Sequence, residues 1–250
     1  MSKSTPGVGE SSERLSRIPG FDPRQAPLLE PLTQLPAIPL ASLQAGQIRR
    51  YFRQPKAWQA EFVGDQFKAR NGAPRPAAVL VPLVMREHTM TVLLTERTAH
   101  LRSHAGQVAF PGGRRDPIDQ SPVATALREA QEEVGLEPSR VEIVGALPEY
   151  LTGTGYAVIP VVGLVAPPFD LSLQQDEVAH AFEVPLSFLM DPSHHKHHMV
   201  RLDSGTRQYY SMSYREHATA PEFFIWGATA AMLRNLYRFF VAQIGVTGES

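Results

Sequence analysis

The stretch from Gly113 to Leu136, GRRDPIDQSPVATALREAQEEVGL, constrains this chain more than any other, because it spells out a helix with both ends marked and one acidic face. Pro122 suits the first helical position, where a backbone N–H has no intrahelical partner, and Ser121 supplies an N-cap oxygen. Gly135 stands where a left-handed C-cap belongs. The segment from Val123 to Val134 is therefore predicted as helix. At about 100° per residue, Glu129, Glu132 and Glu133 fall within about 100° of arc. Leu127, Ala130 and Val134 lie on the opposite side and are expected to bury. Like charges three and four residues apart repel by a few tenths of a kcal/mol per pair, so such a face is costly unless a cation sits on it. A hard divalent ion that takes oxygen ligands and leaves positions open for phosphate, Mg2+ or Mn2+, relieves that repulsion. Taken alone, an EAQEE segment is more often a solvated acidic face; the neighbouring residues decide.

Arg128-Glu129-Ala130-Gln131-Glu132-Glu133-Val134-Gly135-Leu136, with Gly113 upstream, resembles the Nudix box. That signature, glycine, five residues, glutamate, seven residues, then Arg-Glu-aliphatic-any-Glu-Glu-any-Gly-aliphatic, marks hydrolases that split a nucleoside diphosphate linked to another moiety. The second half matches throughout, with Ala130 a small member of its class. The first half departs: Asp119 follows Gly113 after five residues in place of glutamate, and eight residues separate it from Arg128. Asp119 is therefore not carried over as the equivalent of that glutamate.

Upstream, Leu93-Leu94-Thr95-Glu96-Arg97 and then Leu101-Arg102-Ser103-His104-Ala105-Gly106-Gln107-Val108-Ala109-Phe110-Pro111-Gly112-Gly113 look like the segment that marks the coenzyme A diphosphatase branch of this family. That branch also carries the Gly-Gly-x-x-Asp-x-x-Asp opening and the extra residue. The resemblance implies an α+β fold, an αβα sandwich around a mixed β-sheet with a catalytic loop-helix-loop and a C-terminal packing helix. It implies hydrolysis of the pyrophosphate of coenzyme A or acyl-coenzyme A, dependent on Mg2+ or Mn2+. Glu129 and Glu133 are expected to bind metal, with Glu132 assisting or holding a second ion, the Gly113 carbonyl adding an oxygen, and Arg128 orienting a carboxylate. An acidic residue outside the box often completes such sites; Glu177, in a stretch similar to the Glu-Val-x-x-x-x-x-Val-Pro-Leu run of this family, is the candidate, with Glu149 second. Arg97, Arg102, Arg114 and Arg115 bracket the loop in sequence, and guanidinium forks suit the oxygens of a pyrophosphate and a 3′-phosphate. His104 is expected to contact substrate rather than transfer protons. The alternatives are another nucleoside diphosphate derivative such as NADH or ADP-ribose, or a silent nucleotide-binding sensor, against which the presence of all three box carboxylates argues.

Bulk properties exclude other classes. A formal net charge of −1 offers no overall field for nucleic acid or an anionic membrane. With no cysteine there is no disulfide, thiolate nucleophile or Cys-based zinc site. No apolar run reaches the eighteen or so residues of a membrane span, and no signal-peptide core precedes Arg17, so a cytoplasmic enzyme, with a homodimer as an open possibility, is expected. Neither a Gly-x-Ser-x-Gly elbow nor a phosphate-binding Gly-x-x-x-x-Gly-Lys loop occurs. Gly153 and Gly155 lack the third glycine of a dinucleotide fingerprint, Val158 standing in its place; the family resemblance implies instead a loop near the substrate.

In chain order, residues 1–41 form a Pro-rich extension, partly disordered, 42–73 a helical lead-in, and 74–250 the hydrolase domain with its box at 113–136. Ser42 is read as the cap of a short helix carrying Ile48, Tyr51 and Phe52 on one side. The runs 77–84, 90–95, 141–147 and 157–165 read as strands, and 199–202 with 208–214 as a hairpin. His194-His195-Lys196-His197-His198 has no metal-ligand spacing and reads as a solvated loop. Ile225 to Ile244 reads as one apolar helix that closes the sandwich or packs a dimer.

Overall fold

The β-branched runs near residues 80 and 160 lie side by side at the centre of the molecule. The computed structural model describes residues 21–29, 35–65, 73–98, 106–202 and 205–245. Strands β1 (Arg75–Met85) and β7 (Tyr156–Val165) are parallel, paired from Arg75 opposite Tyr156 to Val84 opposite Val165. An eight-stranded mixed sheet grows outward from them. β2 (Met90–Arg97) joins β1 and β5 (Val141–Ala146) joins β7, both antiparallel. Four further strands pair antiparallel: β3 (Val108–Ala109) and β8 (Val178–Pro185) with β2, β4 (Gly112–Arg114) with β1, and β6 (Tyr150–Leu151) with β7.

Strand alternation sorts the apolar side chains into two cores. Ala78, Leu80 and Val84 of β1 and Val161 and Val165 of β7 face helix α2 (Pro122–Val134), which buries Ala126, Ala130 and Val134 against them. Val81 and Leu83 of β1, with Val162 and Leu164 of β7, face the other way. That second core is shared with α1 (Ala45–Arg53), the short α3 (Leu186–Leu189) and α4 (Gly227–Ile244). Each fully buried Leu or Val stabilises either core by about 1.5 to 3 kcal/mol. Helix, sheet and helix thus form the expected α+β sandwich. Among the described residues no helix is long and apolar enough to cross a membrane.

A second sheet, β9 (Lys196–Leu202), β10 (Gly205–Tyr214) and β11 (Phe223–Trp226), is antiparallel throughout. It contains the expected hairpin, and residues 27–29 extend its edge, Leu29 N donating to His197 O at 2.8 Å and Met199 N to Pro27 O at 3.0 Å.

Three local expectations are corrected. Ser42 lies inside a 3-10 turn, Leu40–Leu43, and α1 starts after Gln44 with no side-chain cap, although Ile48 and Tyr51 are buried as their spacing required. The C-terminal helix begins at Gly227, because residues 223–226 pair with β10 and Gly227 turns the chain at a φ of 61°. The histidine run is not a solvated loop. His198 is buried, stacks on Tyr209 at 4.7 Å and shares a hydrogen bond with Ser211 Oγ at 2.8 Å. His195 is buried between Leu189 O, 2.8 Å from Nε2, and Arg234, whose Nη1 lies 3.1 Å from Nδ1. A guanidinium can only donate, so Nδ1 accepts and the proton sits on Nε2, donated to the Leu189 carbonyl. Arg234, only 1% exposed, bonds Glu61 Oε2 at 2.9 Å, and Asn235 holds the Phe62 backbone through both its N–H and its carbonyl. Residues 61–62 are thereby strapped to α4.

Candidate active site

Helix α2 forms where the sequence marks it. The Ser121 hydroxyl accepts from Ala124 N at 3.1 Å, Pro122 opens the first turn, and Gly135 closes it at a φ of 70° with its N–H on the Ala130 and Gln131 carbonyls. Ala130 and Val134 are fully buried and Leu127 half-buried.

The three box carboxylates share the helix but not one environment. Glu133, 6% exposed, is turned in where α2 crosses β4, and its Oε2 accepts the Gly112 N–H at 3.0 Å. Burial pushes its carboxyl up to about 7, opposed by the Gly112 N–H and by Arg97. Glu129 lies across Gly113 so closely that a Cβ there would fall 2.5 Å from its carboxyl carbon. Burial raises its pKa as well, against the pull of Arg128. Glu132 faces outward, its side chain 59% exposed.

Arg128 ties this face to the preceding loop. Its Nη1 donates to Glu132 Oε2 at 2.8 Å, and its Nη2 to Glu129 Oε1 at 3.0 Å and to the Arg114 carbonyl at 3.2 Å. Nε and the same Nη2 grip Asp119, which is buried and also accepts from Asp116 N at 2.9 Å. The Arg128 guanidinium holds the Asp119 carboxyl well below the usual carboxylate range. Asp119 is thus an anchor for Arg128. The Gly-Gly-x-x-Asp-x-x-Asp opening marks Asp119 in the sequence but gives no signal for this pairing, because the pair spans an irregular loop rather than a helical turn.

Arg97, at the end of β2, approaches the same helix from the sheet. Its Nη1 is 3.6 Å from Glu133 Oε1 and its Nη2 3.8 Å from Glu177 Oε2. Glu177 is half-exposed, and its charge raises the pKa of both Glu129 and Glu133. Glu149 is exposed. Of the expected phosphate-binding arginines, Arg114 and Arg115 are both exposed, and Arg115 donates Nε and Nη2 to the Asp119 carbonyl at 3.0 and 2.9 Å. Arg102 and His104 lie outside the described residues. Among the described residues no three acidic or histidine side chains converge closely enough to hold a metal ion.

A cavity of about 410 Å3 opens beside Gly112 and Gly113. One wall is β1, β3 and β4; the other is β10, β11 and the start of α4, including Arg207, Tyr209 and Trp226. The 152–156 loop lines it too, held by Asp65, whose carboxylate accepts from the Tyr150 hydroxyl and, at 2.6 Å, from Gly153 N. Arg75 stacks over Tyr156 at 4.1 Å. Sequence reasoning placed the 152–156 loop near substrate and had no signal for Asp65 or for the second wall, which come from segments far away in the chain.

A family model described as "NUDIX domain" matches residues 74–203. Nudix hydrolase NudL of Escherichia coli (strain K12) is 44% identical over 173 residues, 69% of this chain and 84% of that protein. NudL of Escherichia fergusonii is equally similar, 44% over 173 residues. Among solved structures, the Nudix hydrolase RenU of M. smegmatis is 24% identical with a TM-score of 0.40, covering 51% of this chain and 81% of its own. A MutT/nudix family protein from Enterococcus faecalis is 16% identical with a TM-score of 0.40, covering 81% and 80%.

Proposed function

The chain belongs to the Nudix family, metal-dependent hydrolases of phosphoanhydride bonds in nucleotide derivatives, and we propose that it cleaves the pyrophosphate of coenzyme A or acyl-coenzyme A to 3′,5′-ADP and (acyl-)4′-phosphopantetheine. The observation that carries this reading is the segment running into the box, Leu93 to Arg97 and Leu101 to Gly113, with its resemblance to the coenzyme A diphosphatase branch. Of its described residues, Arg97, Gln107 to Phe110, Gly112 and Gly113 line the cavity, and Glu133 and Glu129 lie against Gly112 and Gly113.

The donor set suits Mg2+ or Mn2+. Carboxylates and a carbonyl are hard oxygen ligands, and the missing side chain at Gly113 leaves a cradle that a Cβ would fill. Glu129 and Glu133 would hold the ion, Glu132 would assist or hold a second, and the Gly113 carbonyl would add an oxygen. Such an ion, when bound, would supply charge neutralisation of the phosphate oxygens and activation of a water for in-line attack at phosphorus.

The protein's own residues supply position and charge. Asp119 fixes Arg128, and Arg128 orients Glu129 and Glu132. Gly112 N–H holds one oxygen of Glu133 so that the other points toward Arg97. Glu177, half-exposed, is the candidate base. Arg97 and Arg114 take phosphate oxygens, and the expected contacts of Arg102 and His104 complete the set; Arg115 instead braces the loop.

The test incubates the protein with coenzyme A, acyl-coenzyme A, NADH and ADP-ribose, with Mg2+, Mn2+ or chelator, and identifies products. The expected result is metal-dependent release of 3′,5′-ADP, lost by orders of magnitude in Glu133→Gln with the fold intact. Faster turnover of NADH or ADP-ribose, or an active Glu133→Gln enzyme, would overturn the assignment.

A further inference from the structure

The wall contributed by β10 and β11 lies outside the segment that the family model matches, which ends at residue 203. It lines the same cavity as β4 and carries one group that the chemistry described so far does not use. Arg207 enters from β10, half-buried, with Nη1 donating to the Thr206 carbonyl at 3.2 Å, so its guanidinium is steadied by its own strand.

Among the described residues of the lining, the charged groups are Arg97, Arg114, Arg207 and Asp65; Arg97 lies beside Glu133 and Glu177, and Asp65 accepts from Tyr150 and Gly153. The rest of the lining is largely apolar or aromatic, with Tyr156, Tyr209 and Trp226 among it. A substrate anchored only through its scissile pyrophosphate meets Arg97 and Arg114, on the side of Glu133 and Gly113. A third cation in the same lining, carried by a different sheet and sharing it with Tyr209 and Trp226, suits a ligand with a second anionic group on its organic half. Guanidinium forks match phosphate oxygens in pairs, and a site built around such a pair discriminates strongly against an analogue that lacks the phosphate.

We propose that Arg207 is a specificity-determining residue that binds an anionic group of the substrate remote from the scissile pyrophosphate; on the coenzyme A reading, on which this identification rests, that group is the 3′-phosphate. The chemistry belongs to the box, and the selection of the nucleotide half belongs to the second sheet.

Steady-state kinetics with coenzyme A and dephospho-coenzyme A, which differ only in the 3′-phosphate, test this on wild type, Arg207→Gln and Arg207→Lys. Wild type is expected to prefer coenzyme A by about tenfold or more in kcat/KM. Arg207→Gln should erase that preference by raising KM for coenzyme A about tenfold, with kcat and the dephospho-coenzyme A parameters within about twofold. Arg207→Lys should restore part of it, a rescue that a merely structural role would not produce. A wild type that cleaves both substrates equally overturns the role of Arg207 and leaves the hydrolase reading standing. So does an Arg207→Gln enzyme that keeps the preference or weakens on both substrates alike. A wild type that cleaves neither compound sinks the coenzyme A reading itself, and this assignment with it.

Discussion

Arg128 grips the carboxylate of Asp119 with two hydrogen bonds, Nε to Oδ1 at 3.0 Å and Nη2 to Oδ2 at 2.9 Å, and so couples the loop that opens the site to the helix that carries the acids. Both oxygens of a buried carboxylate are spent on positioning a neighbour. Asp119→Asn removes the charge and puts an amide N–H against a guanidinium that has no acceptor to offer it. We expect a loss of about 2 kcal/mol in urea unfolding at pH 7, together with reduced turnover as Glu129 and Glu132 lose their fixed partner. A variant within about 0.5 kcal/mol of wild type would contradict the anchoring role.

Adjacent glycines should fail in different ways. A Cβ on Gly113 meets the mobile end of Glu129, 2.5 Å away, which can swing aside, so Gly113→Ala should cost less than about 1 kcal/mol while lowering turnover at least tenfold. A Cβ on Gly112 meets backbone, 2.5 Å from Val79 Cα and 2.6 Å from Ala78 O, at a φ of 155°, and cannot be relieved. Gly112→Ala should therefore destabilise by more than about 2 kcal/mol. Thermal melts and rates measured on the same preparations check the pair; equal stability losses would refute it.

His195 should make stability fall on mild acidification. Burial lowers its pKa to about 4, from an ordinary value near 6.5 in the unfolded chain. The folded state therefore favours the neutral ring, and the contribution is fully present above pH 6.5. It is lost progressively as pH falls toward 4, about 3 kcal/mol in all. Urea midpoints between pH 7 and 4 should show this slope, and His195→Gln, which keeps an N–H for the Leu189 carbonyl, should flatten it.

Glu133 should cost the fold stability at neutral pH. Its carboxylate is buried with one close N–H donor, Gly112, and a guanidinium 3.6 Å away, so its charged form is disfavoured in the metal-free fold. Because the folded pKa lies above the unfolded one, the penalty is absent below about pH 4.5 and grows as pH rises through 7. In chelator at pH 8, Glu133→Gln should melt higher than wild type by the equivalent of about 1 to 3 kcal/mol, and the gap should close by pH 4.5. A variant that melts lower at pH 8 would show that the carboxylate is stabilised where it stands.

Helix α2, its two caps and the strands of the central sheet were legible in the residues, because each is specified by neighbours in sequence: a hydroxyl three residues from its N–H, a glycine at a left-handed turn, apolar residues at a period of two or four. The same local logic failed at Ser42, where a 3-10 turn takes the place of the helix start, and at Ile225, where pairing with Met212 on β10 overrides helical periodicity. It failed as well at the histidine run, whose burial is created by Arg234, Tyr209 and Ser211 arriving from elsewhere in the chain.

By itself the sequence determined which chemistry the chain carries, since clustered carboxylates, their spacing and the glycine that admits them are properties of one continuous segment. Only the tertiary structure decided how differently those carboxylates are placed, with Glu133 turned inward, Glu129 over Gly113 and Glu132 in solvent. It also decided that Asp119 serves Arg128 and that residues from beyond residue 203 line the same cavity as Gly113. Burial and charge pairing depend on distances between remote segments, and no local pattern of residues encodes those distances.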